Sequence, residues 1–367
     1  MRTALVALAA SLVGGPAEPK KLAVYIGSYG PSIHRFELDL ASGAVTEATA
    51  AGEIKNPSFL EIHPSGKYLY AVGEVGGKKG GAVAAFEIAK DGSLKLLNEQ
   101  TSGGNGPCHI SLAHGGKVAL VANYGGGSVE SLPVGDDGKL GEPATFVQHQ
   151  GSSVNKGRQS APHAHSINPS PDGRFALCAD LGLDQVLVYT LDASGKMAPN
   201  NPPHAATPPG SGPRHFAFHP SGKYVYVCGE MTSTVHAYAW DGQKGALSEL
   251  QSLSTLPEEV KGNSTAEVVA HPSGKAVYVS NRGHDSIAVF AVDEATGKLT
   301  AKGHVPTGGK TPRNFAVDPT GRYLLAANQN SDTVTVFKVD PSTGALTATG
   351  ASVKVPKPVC VRFLPLQ

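Results

Sequence analysis

His165, Arg214, Glu230, Arg282 and Arg313 are the residues of this chain whose types and spacing could do chemistry. Each stands eight positions from a glycine that recurs in a repeated phrase. His165, Arg214 and Arg313 lie eight before Gly173, Gly222 and Gly321, and Glu230 and Arg282 lie eight after Gly222 and Gly274. Three guanidiniums, an imidazole and a carboxylate gathered in one place would bind an anionic small molecule, because a guanidinium fork matches a carboxylate or phosphate in two parallel hydrogen bonds. Equivalent slots in the other copies hold Ser58, Cys108, Ala266 and Val359 before the turn, and Tyr29, Glu74, Tyr124, Leu181 and Gln329 after it. A structural repeat should keep similar residues in equivalent slots, and these slots differ. Five ionisable side chains in two registers, in consecutive copies, argue against a merely solvated rim.

The elements that must position them are visible in the repeat. The copies FLEIHPSGKYLYAVGE, ISLAHGGKVALVANY, SINPSPDGRFALCAD, FAFHPSGKYVYVCGE, VVAHPSGKAVYVSN and FAVDPTGRYLLAAN each carry two short apolar runs joined by a tight turn. Their glycines, Gly66, Gly116, Gly173, Gly222, Gly274 and Gly321, are 50, 57, 49, 52 and 47 residues apart. Two strands and a Gly turn at that period indicate an all-β fold, a β-propeller with one blade per repeat. A second pair of alternating strands follows each copy, as in SIAVFAVDEATGKLT (286–300), so each blade should have four antiparallel strands. Residues 358–365, PVCVRFLP, match the first strand of a seventh copy, and residues 22–29, LAVYIGSY, match its second. The termini should therefore share a blade and close a seven-bladed ring over residues 21–367. With the first strand of each phrase innermost, its start and the end of the second strand ring one mouth of the central channel.

Composition supports this and bounds the function. There are 45 Gly and 27 Pro in 367 residues, suited to many tight turns, and no long stretch with helical period. A net charge of +1 with no basic block speaks against a nucleic-acid partner. No segment approaches the roughly 20 apolar residues of a membrane span. Residues 1–17, MRTALVALAASLVGGPA, read as a short export signal, which would place the mature chain in the periplasm or outside the cell, or in the cytoplasm if the leader does not function. Cys108, Cys178, Cys228 and Cys360 show no CxxC pair. An even count in an exported protein permits disulfides, but Cys178 and Cys228 fall inside apolar strands, so buried reduced thiols are expected. A closed ring makes no strong demand for a partner, and a monomer is expected.

Other polar residues carry less. His63, His219 and His271 precede the turn proline and are expected to cap or pack the turn. His163 lies two residues before His165, on the same face, and joins Arg313, Glu74, Asp180 and Gln329 as a substrate-binding candidate. The HAH motif alone is a weak metal signal and the nearby arginines would repel a cation, so neither a metal nor another cofactor is expected.

The segments HAHSINPSPDGRFALCADLGLDQVLVY (163–189), GPRHFAFHPSGKYVYVCGE (212–230), AEVVAHPSGKAVYVSNRGHDSIAVF (266–290) and TPRNFAVDPTGRYLLAANQNSDTVTVF (311–337) closely resemble the seven-bladed propeller lactonases, a family that includes 6-phosphogluconolactonases and carboxy-cis,cis-muconate cyclases. The resemblance implies an active centre of His165 (with His163 beside it), Arg214, Glu230 and Arg282. It also likens residues 253–267 to a long inter-blade loop that could cover one side of the site. Lactone hydrolysis needs activated water and positive charge for the developing oxyanion. Glu230, kept ionised between arginines, or His165 would be the base, with Arg214 and Arg282 polarising the carbonyl and binding the substrate's anionic group. The chain departs in its leader, since an exported copy would not meet a phosphorylated lactone made in the cytoplasm. Two other readings remain open: a cyclase that adds a carboxylate across a muconate double bond, and a non-catalytic extracytoplasmic scaffold, against which the intact polar set argues.

Overall fold

The turn of each phrase forces the chain back on itself. Gly274 sits at φ +77°, and a Cβ there would lie 2.8 Å from the His219 Nε2 atom of the preceding blade, so only glycine both adopts the turn and admits its neighbour. His219 uses that space to hydrogen-bond the Gly274 carbonyl (2.8 Å), and His271 does the same to Gly321 (2.9 Å). His219 and His271 thus stitch one blade to the next, as expected of structural residues.

The computed structural model describes residues 19–77 and 80–366. They form seven four-stranded antiparallel sheets, and the only helical segments among the described residues are two three-residue 3₁₀ turns, His114–Gly116 and Gln329–Ser331. One blade, typical of the set, runs Pro213–Phe218, Tyr224–Gly229, Thr234–Asp241, Ala246–Ser254. In the closing blade Pro358–Leu366 pairs with Lys21–Ser28, register Ile26 to Val361, so the two ends of the chain complete one sheet.

The apolar core lies between blades. Leu177, Ala179, Val186 and Val188 of one sheet pack against Val225, Val227, Tyr238 and Trp240 of the next. Each leucine and valine among them contributes about 1.5–3 kcal/mol on burial. Tyrosine hydroxyls add a directional link: Tyr25, Tyr70, Tyr226 and Tyr278 donate to the carbonyls of Gly92, Gly138, Gly297 and Gly344 of the following blade, at 2.9, 2.9, 3.1 and 2.7 Å. All four cysteines are buried free thiols. No helix among the described residues is long and apolar enough to cross a membrane. The expected export signal, residues 1–17, lies outside the described residues.

The first strands of successive phrases touch one another around the axis, which makes them the innermost ring. Nearly all of them carry a β-bulge at the start. Ala164 faces Asp180 and Ser166 faces Ala179, which leaves His165 as the extra residue. In the same way Pro312 and Asn314 flank Arg313, Pro107 and His109 flank Cys108, and Pro213 and Phe216 flank the pair Arg214 and His215. A bulge interrupts the alternation of side chains and re-aims the extra residue. Repeated around the ring, it turns the register eight residues before the glycine toward the channel.

Candidate active site

Glu230 follows Tyr224–Gly229 and is nearly sealed, with 7% of its side chain exposed. Three guanidiniums close on it: Arg158 Nη2 at 2.8 Å from Oε1, Arg282 Nη2 at 3.0 Å and Arg214 Nε at 3.1 Å from Oε2. Burial pushes this carboxyl up, but Arg282, Arg214 and Arg158 together outweigh it and hold it at about 2. Arg282 also donates to the Thr265 carbonyl (2.9 Å), and Arg214 Nη1 donates to the carbonyl of Ala266. The carboxylate, the buried Arg214 and the partly buried Arg282 are thus locked by the backbone of the inner strand Ser264–Ala270.

Arg214 joins this cluster to a second one. With Tyr29, Ser58, Glu74, Cys108, His165, His215 and Arg313 it lines a cavity on the channel axis that has room for about one water molecule. On its far side the Tyr29 hydroxyl donates to Glu74 Oε2 (3.0 Å), and the Arg313 guanidinium lies over the Tyr29 ring at 5.4 Å. His165 is 4% exposed, with its Nδ1 3.7 Å from the Cys108 sulfur and its ring edge-on to Tyr124 at 5.1 Å. Burial, then the Arg214, His215 and Arg313 charges, lower its pKa well below the usual imidazole value, so His165 is neutral at pH 7.

The structure therefore brings His165, Arg214, Glu230, Arg282, Arg313 and Glu74 to one mouth. His163 stands at its edge, stacked on Tyr124 at 4.6 Å with Nδ1 2.9 Å from the Tyr124 carbonyl oxygen. Two candidates fall elsewhere. Asp180 is wholly enclosed: its carboxylate meets His149 Nδ1 (2.6 Å) and accepts from the backbone N–H groups of His163 (2.7 Å) and Gly182 (2.9 Å). With its oxygens occupied it has no face for a ligand, and the expectation of a substrate contact is corrected to one that fixes the His163 backbone. Gln329 opens the turn Gln329–Ser331, donates its N–H to the Thr311 carbonyl (3.0 Å) and does not line the cavity. Residues 254–263 fold against Met231–Ser233, next to Glu230 in the chain, but contribute nothing to the cavity wall. A wider cavity of about 800 Å³ lies at the outer flank between two blades, lined by Val289, His304 and Leu346, and includes none of these residues.

Sequence reasoning missed Arg158, His215 and Glu267. Arg158 comes from the 149–163 connection, whose Gln159 is fully buried and donates to the Leu181 carbonyl (2.9 Å), so the loop is pinned one residue from its arginine. It also donates to the Tyr124 hydroxyl (3.2 Å). His215 follows Arg214, and simple alternation would send it to the opposite face. The bulge sets both against Cys228 alone, so both reach the cavity.

Comparison with known proteins agrees with this architecture. The family model described as "Lactonase, 7-bladed beta-propeller" matches residues 23–363. A 6-phosphogluconolactonase of Bacillus subtilis is 37% identical over 346 residues, spanning 93% of this chain and 97% of the relative. One from Formosa agariphila is 38% identical over 305 residues, spanning 80% and 86%. Among solved structures, the periplasmic gluconolactonase of Pseudomonas aeruginosa superposes with a TM-score of 0.89 at 33% identity, covering 95% of this chain and all 100% of that one. With its seven closed blades, its polar mouth and a match along nearly its whole length, this chain belongs to the seven-bladed β-propeller lactonase family.

Proposed function

We propose that this protein opens a sugar-acid lactone of the 6-phosphogluconolactone type by attack of water at the channel mouth. The observation that carries this reading is a water-sized polar cavity lined by Arg214 and Arg313, with Glu230 ion-paired beside it to Arg214, Arg282 and Arg158. An ester carbonyl docked over this cavity, with the attacking water inside it, would develop its oxyanion against Arg214 and Arg313, in a site where fixed positive charge is not diluted by bulk water. A phosphate or carboxylate on the same substrate would meet Arg282 and the half-exposed Arg158 in bidentate fashion. The names of the Bacillus and Formosa relatives support a lactone substrate.

Glu230 serves this chemistry as the anchor of the arginines. A carboxylate held at about 2 and ion-paired with three guanidiniums is a weak proton acceptor near neutral pH, where an effective base has a matching pKa. The proton of the attacking water goes instead to a neutral imidazole on the cavity wall. Residues 1–17 are read as an export leader, and the periplasmic gluconolactonase among the structural neighbours supports an unphosphorylated substrate as the alternative. The deciding experiment follows hydrolysis of freshly made 6-phosphogluconolactone and of unphosphorylated gluconolactone by the chain lacking residues 1–17. A rate well above the spontaneous one on either lactone, lost in Arg282→Ala, supports the assignment. Rates equal to the spontaneous ones on both would refute it.

A further inference from the structure

Behind Arg214 lies a buried acid-imidazole pair that the arginine cluster does not involve. His215 and Glu267 are 4% and 7% exposed, on neighbouring inner strands. His215 Nδ1 lies 2.9 Å from Glu267 Oε2 and 3.0 Å from Oε1. Glu267 also accepts from the Val268 N–H (3.0 Å) and from the side-chain amide of Asn314. A carboxylate so supplied with donors stays ionised and can only accept, so the shared proton sits on Nδ1 and the lone pair falls on Nε2. That Nε2 atom is buried and has no hydrogen-bond partner, in a residue that lines the water-sized cavity beside His165, Arg214 and Arg313. A pair present only for packing would leave this acceptor unsatisfied, at about 1–3 kcal/mol. A water in the cavity would satisfy it.

We propose that His215 is a catalytic residue of lactone opening, its Nε2 removing the proton of the attacking water, and that Glu267 is the positioning residue that holds its ring and tautomer. The proposal rests on the lactonase reading above. As the water oxygen bonds to the lactone carbonyl carbon, one of its O–H bonds breaks and that proton moves to Nε2. The carbonyl electrons form an oxyanion against Arg214 and Arg313. Collapse breaks the bond between that carbon and the ring oxygen, which leaves with the proton returned from Nε2. The product acid then releases one proton to solvent. His165, 5.2 Å from the His215 ring, has the Cys108 sulfur and the Tyr124 ring beside it rather than a carboxylate, and so lacks the partner that orients a base.

The groups facing His215 are Glu267, Arg214 and Arg313, with the His109 and His165 rings at 5.4 and 5.2 Å. Burial and the two arginines disfavour its imidazolium, Glu267 favours it, and the balance lies below the ordinary value of 6.5. Activity should therefore rise with pH along a limb below that value.

The test is steady-state kinetics on the two lactones, over pH, for the wild type, His215→Asn, Glu267→Gln and His165→Asn, each with a melting curve. His215→Asn should lower kcat by about 100- to 10,000-fold with little change in KM. Glu267→Gln should lower kcat less and move the acidic limb to lower pH, a shift that a packing role would not produce. A folded His215→Asn with wild-type kcat overturns the proposal, as does loss of the acidic limb in His165→Asn alone. If His215→Asn does not fold, Glu267→Gln decides: a displaced limb supports the proposal and an unmoved limb overturns it. Wild-type protein inactive on both lactones refutes the lactonase reading itself, and this inference with it.

Discussion

Glu230 at the channel mouth and Glu130 in the blade strand Ser128–Pro133 are both buried, 6% and 1% exposed. Their surroundings set them apart. Three guanidiniums surround Glu230 and hold it at about 2. Glu130 Oε2 has no hydrogen-bond partner, and burial pushes that carboxyl up to about 8. Depth alone raises a carboxyl's pKa, and positioned charge reverses the sign. The mouth is where this fold has invested matched charge, whereas the acid in the blade wall is tolerated at a cost to stability.

The largest effect that would break this contrast is on activity. Arg282→Ala removes a guanidinium from Glu230 and from the anion it would bind, and kcat/KM should fall about 100-fold or more. A variant with unchanged kcat and KM would show that the charge at the mouth is only structural.

Next come opposite shifts in stability. Glu230→Gln leaves three guanidiniums without their anion and should cost about 3–5 kcal/mol, read as a lower Tm at pH 7. Glu130→Gln removes an unpartnered acid and should raise Tm by about 2 °C or more at pH 8.5. Equal losses in the two variants would erase the distinction.

The pH dependence sharpens it further, because the two acids act in separate windows. The Glu230 carboxyl is depressed from 4.5, so its stabilisation is complete above pH 4.5 and is lost as pH falls toward 2. The Glu130 carboxyl is raised, so the folded state holds its proton more tightly than the unfolded one, and stability declines as pH rises from 4.5 to about 8. Melting curves across pH should show Glu130→Gln flattening the alkaline decline and leaving the acid limb in place.

The smallest effect belongs to the exposed member of the cluster. The Arg158 side chain is 47% exposed, so Arg158→Ala should change stability by less than about 1 kcal/mol. It should raise KM for a phosphorylated lactone more than for an unphosphorylated one. Equal changes in KM would assign Arg158 to loop packing.

Much of this was legible in the chain itself. The spacing of six turn glycines and two half-phrases at the ends set the number of blades, the closure and the channel mouth, because a repeat that buries its faces against copies of itself has few other ways to fold. Counting eight residues from each turn reached His165, Arg214, Glu230, Arg282 and Arg313, since strand pairing converts sequence distance into height along the channel. Counting, which gives Leu181 in that copy, could not tell what Asp180 one residue earlier would meet: Glu230 is held by guanidiniums, Asp180 by His149 and two backbone N–H groups. It also could not find His215, Glu267 or Arg158. Bulges place two successive residues on the channel side where alternation allows one, and Arg158 arrives on a connection whose path depends on the burial of Gln159. Sequence determines what repeats, by local pattern and turn chemistry. Which side chains meet is decided by ring closure and strand register, which bring residues from different blades within hydrogen-bonding distance.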